Sequence, residues 1–210
     1  MKRKSGSRRK TYVIIDEFGN TGDRRPHETK FGYGVSVTKH PRIFGSIAVF
    51  NRIIHNRGDE LKANDTKLKN RLRVSKAISK TDVKTYAVYV DKDADLPNGW
   101  EKSKRSRMIG VLDATLDETL PKEGTIKVVV DNNNMYPKKR LPELIRSKSN
   151  EKRSVSGDQY DSRRGKYHNI LQTNDYVANA ARSDVELGFT ERSRILKIVK
   201  KRLGLETELK

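Results

Sequence analysis

The chain has 210 residues, of which 33% are hydrophobic and 35% charged. That is length enough for one fairly large domain with a compact core and a heavily charged surface. No window approaches 18 apolar residues and there is no cysteine, which argues against a membrane span, disulfides and thiolate metal sites.

Lys plus Arg number 46 against 27 Asp plus Glu, a net charge of +19. A field of that size favours polyanions, so a nucleic-acid partner, DNA or RNA, is expected. The cysteine-free composition fits a reducing compartment, and a cytoplasmic location is expected. The basic start has no apolar segment after it and does not read as a secretory signal.

Residues 1–10 read as a basic disordered arm. Its Arg8, Arg9 and Lys10 are candidates for phosphate contact. Tyr12 to Ile15 then form an apolar run that ends in Asp16 and Glu17, with a Gly- and Asn-containing turn after it. Such a run reads as a buried strand. Acids at its carboxyl end lie where an α/β sheet places its site. Adjacent strand residues point to opposite faces, so only one of the pair should face a single site. Asp16 is the expected ligand, and Glu17 is left as a supporting residue.

Residues 31–38 alternate Phe31, Tyr33, Val35 and Val37 with small residues, which predicts a second strand, antiparallel to the first if a hairpin joins them. Pro41 opens a helical pattern in which Ile43, Ile47, Phe50 and Ile54 form the expected apolar face, with Gly58 as its stop. Residues 59–70 are polar and contain Glu60 and Lys62. A short helix is expected around 68–78, a strand over 83–91 and a loop over 91–100. Ser103 or Ser106 caps a helix to about Leu120, with Ile109, Leu112, Leu116 and Leu120 on one face. Residues 125–130 form a further apolar strand running into Asp131.

Residues 137–167 hold many cations among Ser, Gly and Pro and read as a basic, partly mobile loop or insertion. Lys138, Lys139, Arg140, Arg163 and Arg164 are its candidate nucleic-acid contacts. A helix is expected over 168–182, where His168, Gln172, Asp175 and Asn179 share a face and Ala178, Ala180 and Ala181 permit close packing. A last amphipathic helix is expected over 191–203. The whole predicts an α/β fold: a mixed sheet covered by helices, as a single domain over 11–210.

The acids gain meaning together. Asp16 and Asp131 end strands, Asp175 lies on a small-residue helix, and Glu60 follows a helix. Hard cations such as Mg²⁺ or Mn²⁺ take oxygen ligands, and one or two carboxylates per ion suffice beside waters and phosphate. Two ions can clamp the attacking and leaving oxygens of a phosphodiester. There is no GxxxxGK[ST] phosphate loop, no zinc-type His spacing and no GxSxG serine elbow.

Three stretches carry a resemblance. YVIIDEFGNTG at 12–22 resembles the N-terminal Asp-Glu motif of the domain of unknown function 3800 family. ILQTNDYVANAAR at 170–182 resembles its C-terminal Gln-x-x-Asp helix, and Glu60-Leu-Lys62 its Glu-x-Lys element. Phe18 stands where that family has a small Ser, and Asn174 where it often has Ala. The resemblance implies a ribonuclease H-like three-layer fold and a metal-dependent nuclease or transposase relative. It implies a metal site at Asp16, Asp131 and Asp175, with Glu60 as a fourth catalytic carboxylate and Gln172 in support.

Two functions remain in view. One is a two-metal nuclease cleaving DNA or RNA. The other is a non-catalytic nucleic-acid-binding or transposase-related protein on the same fold. Tyr86, Tyr89, Trp100, Tyr136, Tyr160 and Tyr167 could stack on bases, although packing is the better reading for most of them.

Overall fold

The structure is a computed structural model that describes residues 10–19, 29–54, 62–63, 66–91, 103–132, 136–187 and 201–204. The elements in chain order are β1 (Thr11–Phe18), β2 (Lys30–Thr38), α1 (Pro41–Ile54), α2 (Leu68–Ser79), β3 (Lys84–Asp91), α3 (Lys104–Thr119), β4 (Gly124–Asp131), α4 (Arg140–Ser147), β5 (Arg153–Tyr160), α5 (His168–Leu187) and β6 (Lys201–Gly204). The strands form one mixed sheet in the order β5-β4-β1-β2-β3-β6. β1, β2 and β3 pair antiparallel, while β4 joins β1, β5 joins β4 and β6 joins β3 in parallel.

The period-2 geometry of β1 divides its side chains between two cores. Val13 and Ile15 face α3 and α4, where Leu112, Leu116, Leu141 and Ile145 are buried against Val128, Val130 and Val155. Ile14 faces the other way, into a cluster with Phe44 of α1, Val74 and Ile78 of α2, and Leu171 and Val177 of α5. Each fully buried Leu or Ile contributes roughly 1.5–3 kcal/mol relative to exposure. The result is three layers, helices on both faces of the sheet.

Ser103 caps α3 as expected, accepting a hydrogen bond from the Ser106 N–H at 3.0 Å. Leu112, Leu116 and Leu120 are buried, together with Met108 and Val111, while Ile109 sits at the margin.

Four expectations are corrected. The 137–167 segment is not one loop: it contains α4 and β5. Only Leu141 and Ile145 of α4 and Val155 of β5 are buried, too few apolar positions to stand out among the cations. The predicted apolar face of α1 is also wrong at three of its four positions, Ile47 being the one that packs against the core. Phe44, Gly45, Ala48 and Asn51 are buried, whereas Ile43, Phe50 and Ile54 are exposed, Phe50 by 62%. Gly45 permits this choice, since a Cβ there would press on Ile170 and Asn169 of α5. The 168–182 helix continues to Leu187. The last predicted helix lies mostly outside the described residues, and its end, 201–204, is a strand on the β3 edge. The arm at 1–9 and Glu60 also lie outside the described residues.

Candidate functional site

Three acids from far apart in sequence meet at the carboxyl ends of β1 and β4. β1 runs past the expected boundary, so Asp16 and Glu17 lie inside the strand. Asp16 shares the α5 face with Ile14, and Asp131 shares it with Val129. β1 and β4 are in parallel register through Ile15 and Val130. One residue further on, Asp16 and Asp131 stand side by side on neighbouring strands, which in any sheet are about 4.8 Å apart.

Asp175 comes from α5, above them. The helix lies close to the sheet because Gly34, the β2 register partner of Asp16, has no side chain. A Cβ there would meet the backbone nitrogen of Ala178 at 2.6 Å. Asn174 locks the same contact: its Nδ2 donates to the Gly34 carbonyl at 3.0 Å, and its Oδ1 accepts from the Ser36 hydroxyl at 2.5 Å. The Asn in place of the resembled family's Ala therefore has a built partner set in β2. Phe18, the other departure, is buried against Ala87, Ala178 and Ala181 and closes the floor beside Asp16.

The electrostatics record the convergence. The Asp16 carboxyl is pushed well above the usual carboxylate range by burial, then by Glu17, Asp175 and Asp131; the Glu17 N–H opposes this. Asp131 is raised to about 6, first by burial and then by Glu17 and Asp175, while the Asn132 N–H (2.9 Å) and the Ser162 hydroxyl hold it down. Glu17 thus acts on both acids. Tyr33 and Tyr136, on the opposite, α3 face of the sheet, are raised first by burial, and Glu17 adds to this. Their hydroxyls are 2.8 Å apart.

A framework of neutral groups positions the acids. The Ala63 N–H donates to Asp175 Oδ2 at 2.6 Å. Ala63 follows the Glu60-Leu-Lys62 element in sequence, and Thr66 contacts α5 through its Oγ1, 3.0 Å from the Tyr176 hydroxyl, which accepts from Asn51 Nδ2 at 2.7 Å. Gln172 is buried. It accepts from Arg52 of α1 and donates to the Ser162 carbonyl at 2.9 Å, so it holds the residue whose hydroxyl reaches Asp131. Arg52 also donates to Asn169 at 2.6 Å. Sequence reasoning missed Arg52 and Ser162, and neither carries a local pattern that would reveal it.

Among the described residues, no group of three His, Asp or Glu side chains stands in metal-holding geometry. The donor set is still all hard oxygen, and the raised acids carry repulsion that a divalent cation would offset. Two carboxylates per ion suffice beside waters and phosphate oxygens.

The predicted cations are dispersed. Arg163 and Arg164 are exposed on the loop that leads from β5 past Asp131 into α5. Lys138, Lys139 and Arg140 are exposed at the start of α4, on the other face of the sheet. Lys10 precedes β1 at the end remote from Asp16, roughly 20 Å away by strand rise. His168 Nδ1 is 2.6 Å from the Gly165 carbonyl, a loop contact rather than one to Asp175.

No family model and no curated protein sequence matches the chain. Among solved structures, it is similar to the ribonuclease H2 from Pyrococcus horikoshii OT3, at 15% identity and a TM-score of 0.52, over 84% of this chain and 74% of that one. No helix among the described residues is long and apolar enough to cross a membrane. The chain therefore has a ribonuclease H-like α/β fold, with Asp16, Asp131 and Asp175 gathered at the carboxyl end of its central strands.

Proposed function

We propose that the protein is a metal-dependent nuclease that cleaves phosphodiester bonds of DNA or RNA. One observation carries the reading: Asp16 and Asp131 end neighbouring strands close to Asp175, burial and then the surrounding acids raising the proton affinity of both, in a chain of net charge +19. Cations elsewhere hold a polyanion, and the acids hold what the chemistry needs.

Asp16, Asp131 and Asp175 would hold Mg²⁺ or Mn²⁺, with Glu60 as a further carboxylate. When bound, such ions activate a water and stabilise charge on the phosphate oxygens. The chain's own part is orientation. The Ala63 N–H fixes one oxygen of Asp175, and Ser162, braced by Gln172, fixes Asp131. A bound cation would offset the repulsion by which Glu17 raises Asp16 and Asp131. Phe18 and the α5 alanines exclude water from the floor.

The test is cleavage of labelled single- and double-stranded DNA and RNA with Mn²⁺. Wild-type protein is expected to cut, while Asp16→Asn and Asp175→Asn do not. Activity that survives in both variants would overturn the assignment. Binding with no cleavage under any divalent ion would favour a non-catalytic nucleic-acid-binding role.

A further inference from the structure

Among the described residues, the helices cover only part of the sheet on the acidic side. α5 packs across β1, β2 and β3 and reaches the edge of β4, and α1 and α2 pack beside it. On β5 the residues of that face are Ser154 and Ser156, both exposed, and Asp158 and Tyr160, both half-buried. Lys127 of β4 shares the face and is also half-buried. Among the described residues, this half of the sheet is roofed by a cluster of tyrosines rather than by a helix.

Tyr160 is the register partner of Asp131, so its ring starts beside the acidic centre. Tyr167 stands edge-on to it, with ring centroids 4.5 Å apart, and Tyr12 follows at 6.4 Å from Tyr167. Lys127 Nζ lies 5.2 Å from the Tyr160 ring centre, and Lys166 Nζ 5.4 Å from that of Tyr167. The connecting loop is shaped, not loose. The Arg163 N–H and Arg164 Nε donate to the Asp161 carboxylate at 2.8 and 3.2 Å, and Gly165 takes a φ of +93° that only glycine adopts easily. Arg163, Arg164 and Lys166 are left on its exposed side.

We infer that this tyrosine–lysine surface binds an unpaired stretch of nucleic acid, stacking its bases on Tyr160 and Tyr167 next to the phosphate presented to Asp16 and Asp131. The inference deepens the nuclease reading and takes its site from it. Half-buried aromatic rings with cations over them suit bases, whose faces stack on tyrosine and whose phosphates take the ammonium groups. A base can offer its face only after leaving its stack, so a closed duplex does not fit. Asp158 is the carboxylate that β5 presents on this face, and the Gln159 N–H already donates to it at 2.8 Å.

Binding is read in EDTA, with the full chain and a short oligothymidine carrying a fluorescent adenine analogue at each position in turn. Stacking is expected to quench the analogue at one or two adjacent positions. Tyr160→Ala and Tyr167→Ala are expected to weaken single-strand binding about tenfold, while the Phe variants stay within about twofold. Lys127→Gln is expected to flatten the salt dependence. If wild-type protein quenches no position, or binds duplex more tightly than single strand at equal salt, the inference falls. It also falls if Ala variants with wild-type melting curves bind normally, because the rings would then only anchor the loop. Binding in EDTA is independent of cleavage, so failure of the nuclease assay and failure of stacking are read separately.

Discussion

Gly34 on β2 and Ala178 on α5 meet backbone to backbone, with no room for a Cβ between them. That contact sets the height of Asp175 above Asp16, the Gly34 register partner. Gly34→Ala must therefore push α5 off the sheet. Overpacking of this kind costs about 1–3 kcal/mol. For a chain of this size the melting temperature should fall by about 2–4 °C per kcal/mol. Cleavage should fall with it, because the helix that carries Asp175 has moved. A Gly34→Ala variant with unchanged melting and unchanged Mn²⁺ affinity would show that this contact does not position the acid.

The Asn174 bridge predicts a coupled pair. Asn174→Ala leaves the buried Ser36 hydroxyl and the Gly34 carbonyl without their amide partner, at a cost of about 1–3 kcal/mol. Ser36→Ala alone costs less, since Asn174 keeps its bond to Gly34. The double variant should lose clearly less than the sum, because removing both partners removes the unsatisfied group. Urea unfolding of the four proteins measures the coupling. Strict additivity would mean that the Ser36–Asn174 hydrogen bond contributes nothing.

Burial, then repulsion from neighbouring acids, raises Asp16 and Asp131 above the ordinary carboxylate value of 3.8, Asp131 to about 6. The folded state therefore binds protons more readily than the unfolded one. The contribution of Asp131 to stability is fully present below pH about 4 and is lost as pH rises through about 6, and Asp16 acts in the same direction. Asp131→Asn and Asp16→Asn should raise the melting temperature of the metal-free protein at pH 8 and change it little at pH 4. Mn²⁺ should stabilise wild type at pH 8 by mass action, and Asp16→Asn should lose that gain. Equal melting of wild type and both variants at pH 8 without metal would show that the acids do not repel one another in the fold.

The sequence discloses the central strands because their apolar runs are continuous and end in acids. Residues 13–16 and 128–130 are buried as their composition demands, and Asp175 falls on a helix whose alanines do face the sheet. The misreadings have one physical source. A helix such as α1 has apolar residues on two sides, and which side is buried depends on its partner: α5 accepts Gly45 and Ala48 and leaves Phe50 outside. β5 and α4 each bury so few side chains that their pattern is lost among charges. Arg52, Gln172, Ser162 and Asp131 are joined only by folding, and no spacing along the chain announces that relay.

That relay makes the last prediction. Ser162 holds the Asp131 carboxylate down in proton affinity, and Gln172 holds Ser162 by its carbonyl. Ser162→Ala removes the hydroxyl and leaves the burial and the Glu17 and Asp175 charges opposed by the Asn132 N–H but not by Ser162. The Asp131 carboxyl must then climb further above about 6. If Asp131 works ionised, the acid limb of a Mn²⁺-dependent cleavage profile should shift to higher pH, with activity recovering at alkaline pH. Ser162→Thr, which keeps a hydroxyl, should restore the wild-type limb. Gln172→Ala should act in the same direction but more weakly, since Ser162 loses its brace and not its donor, while Arg52 is left with Asn169 alone of its two α5 acceptors. The pH–rate profiles of the four proteins decide it. A uniform drop at every pH in Ser162→Ala would mean that the residue shapes the loop and does not set the charge of Asp131.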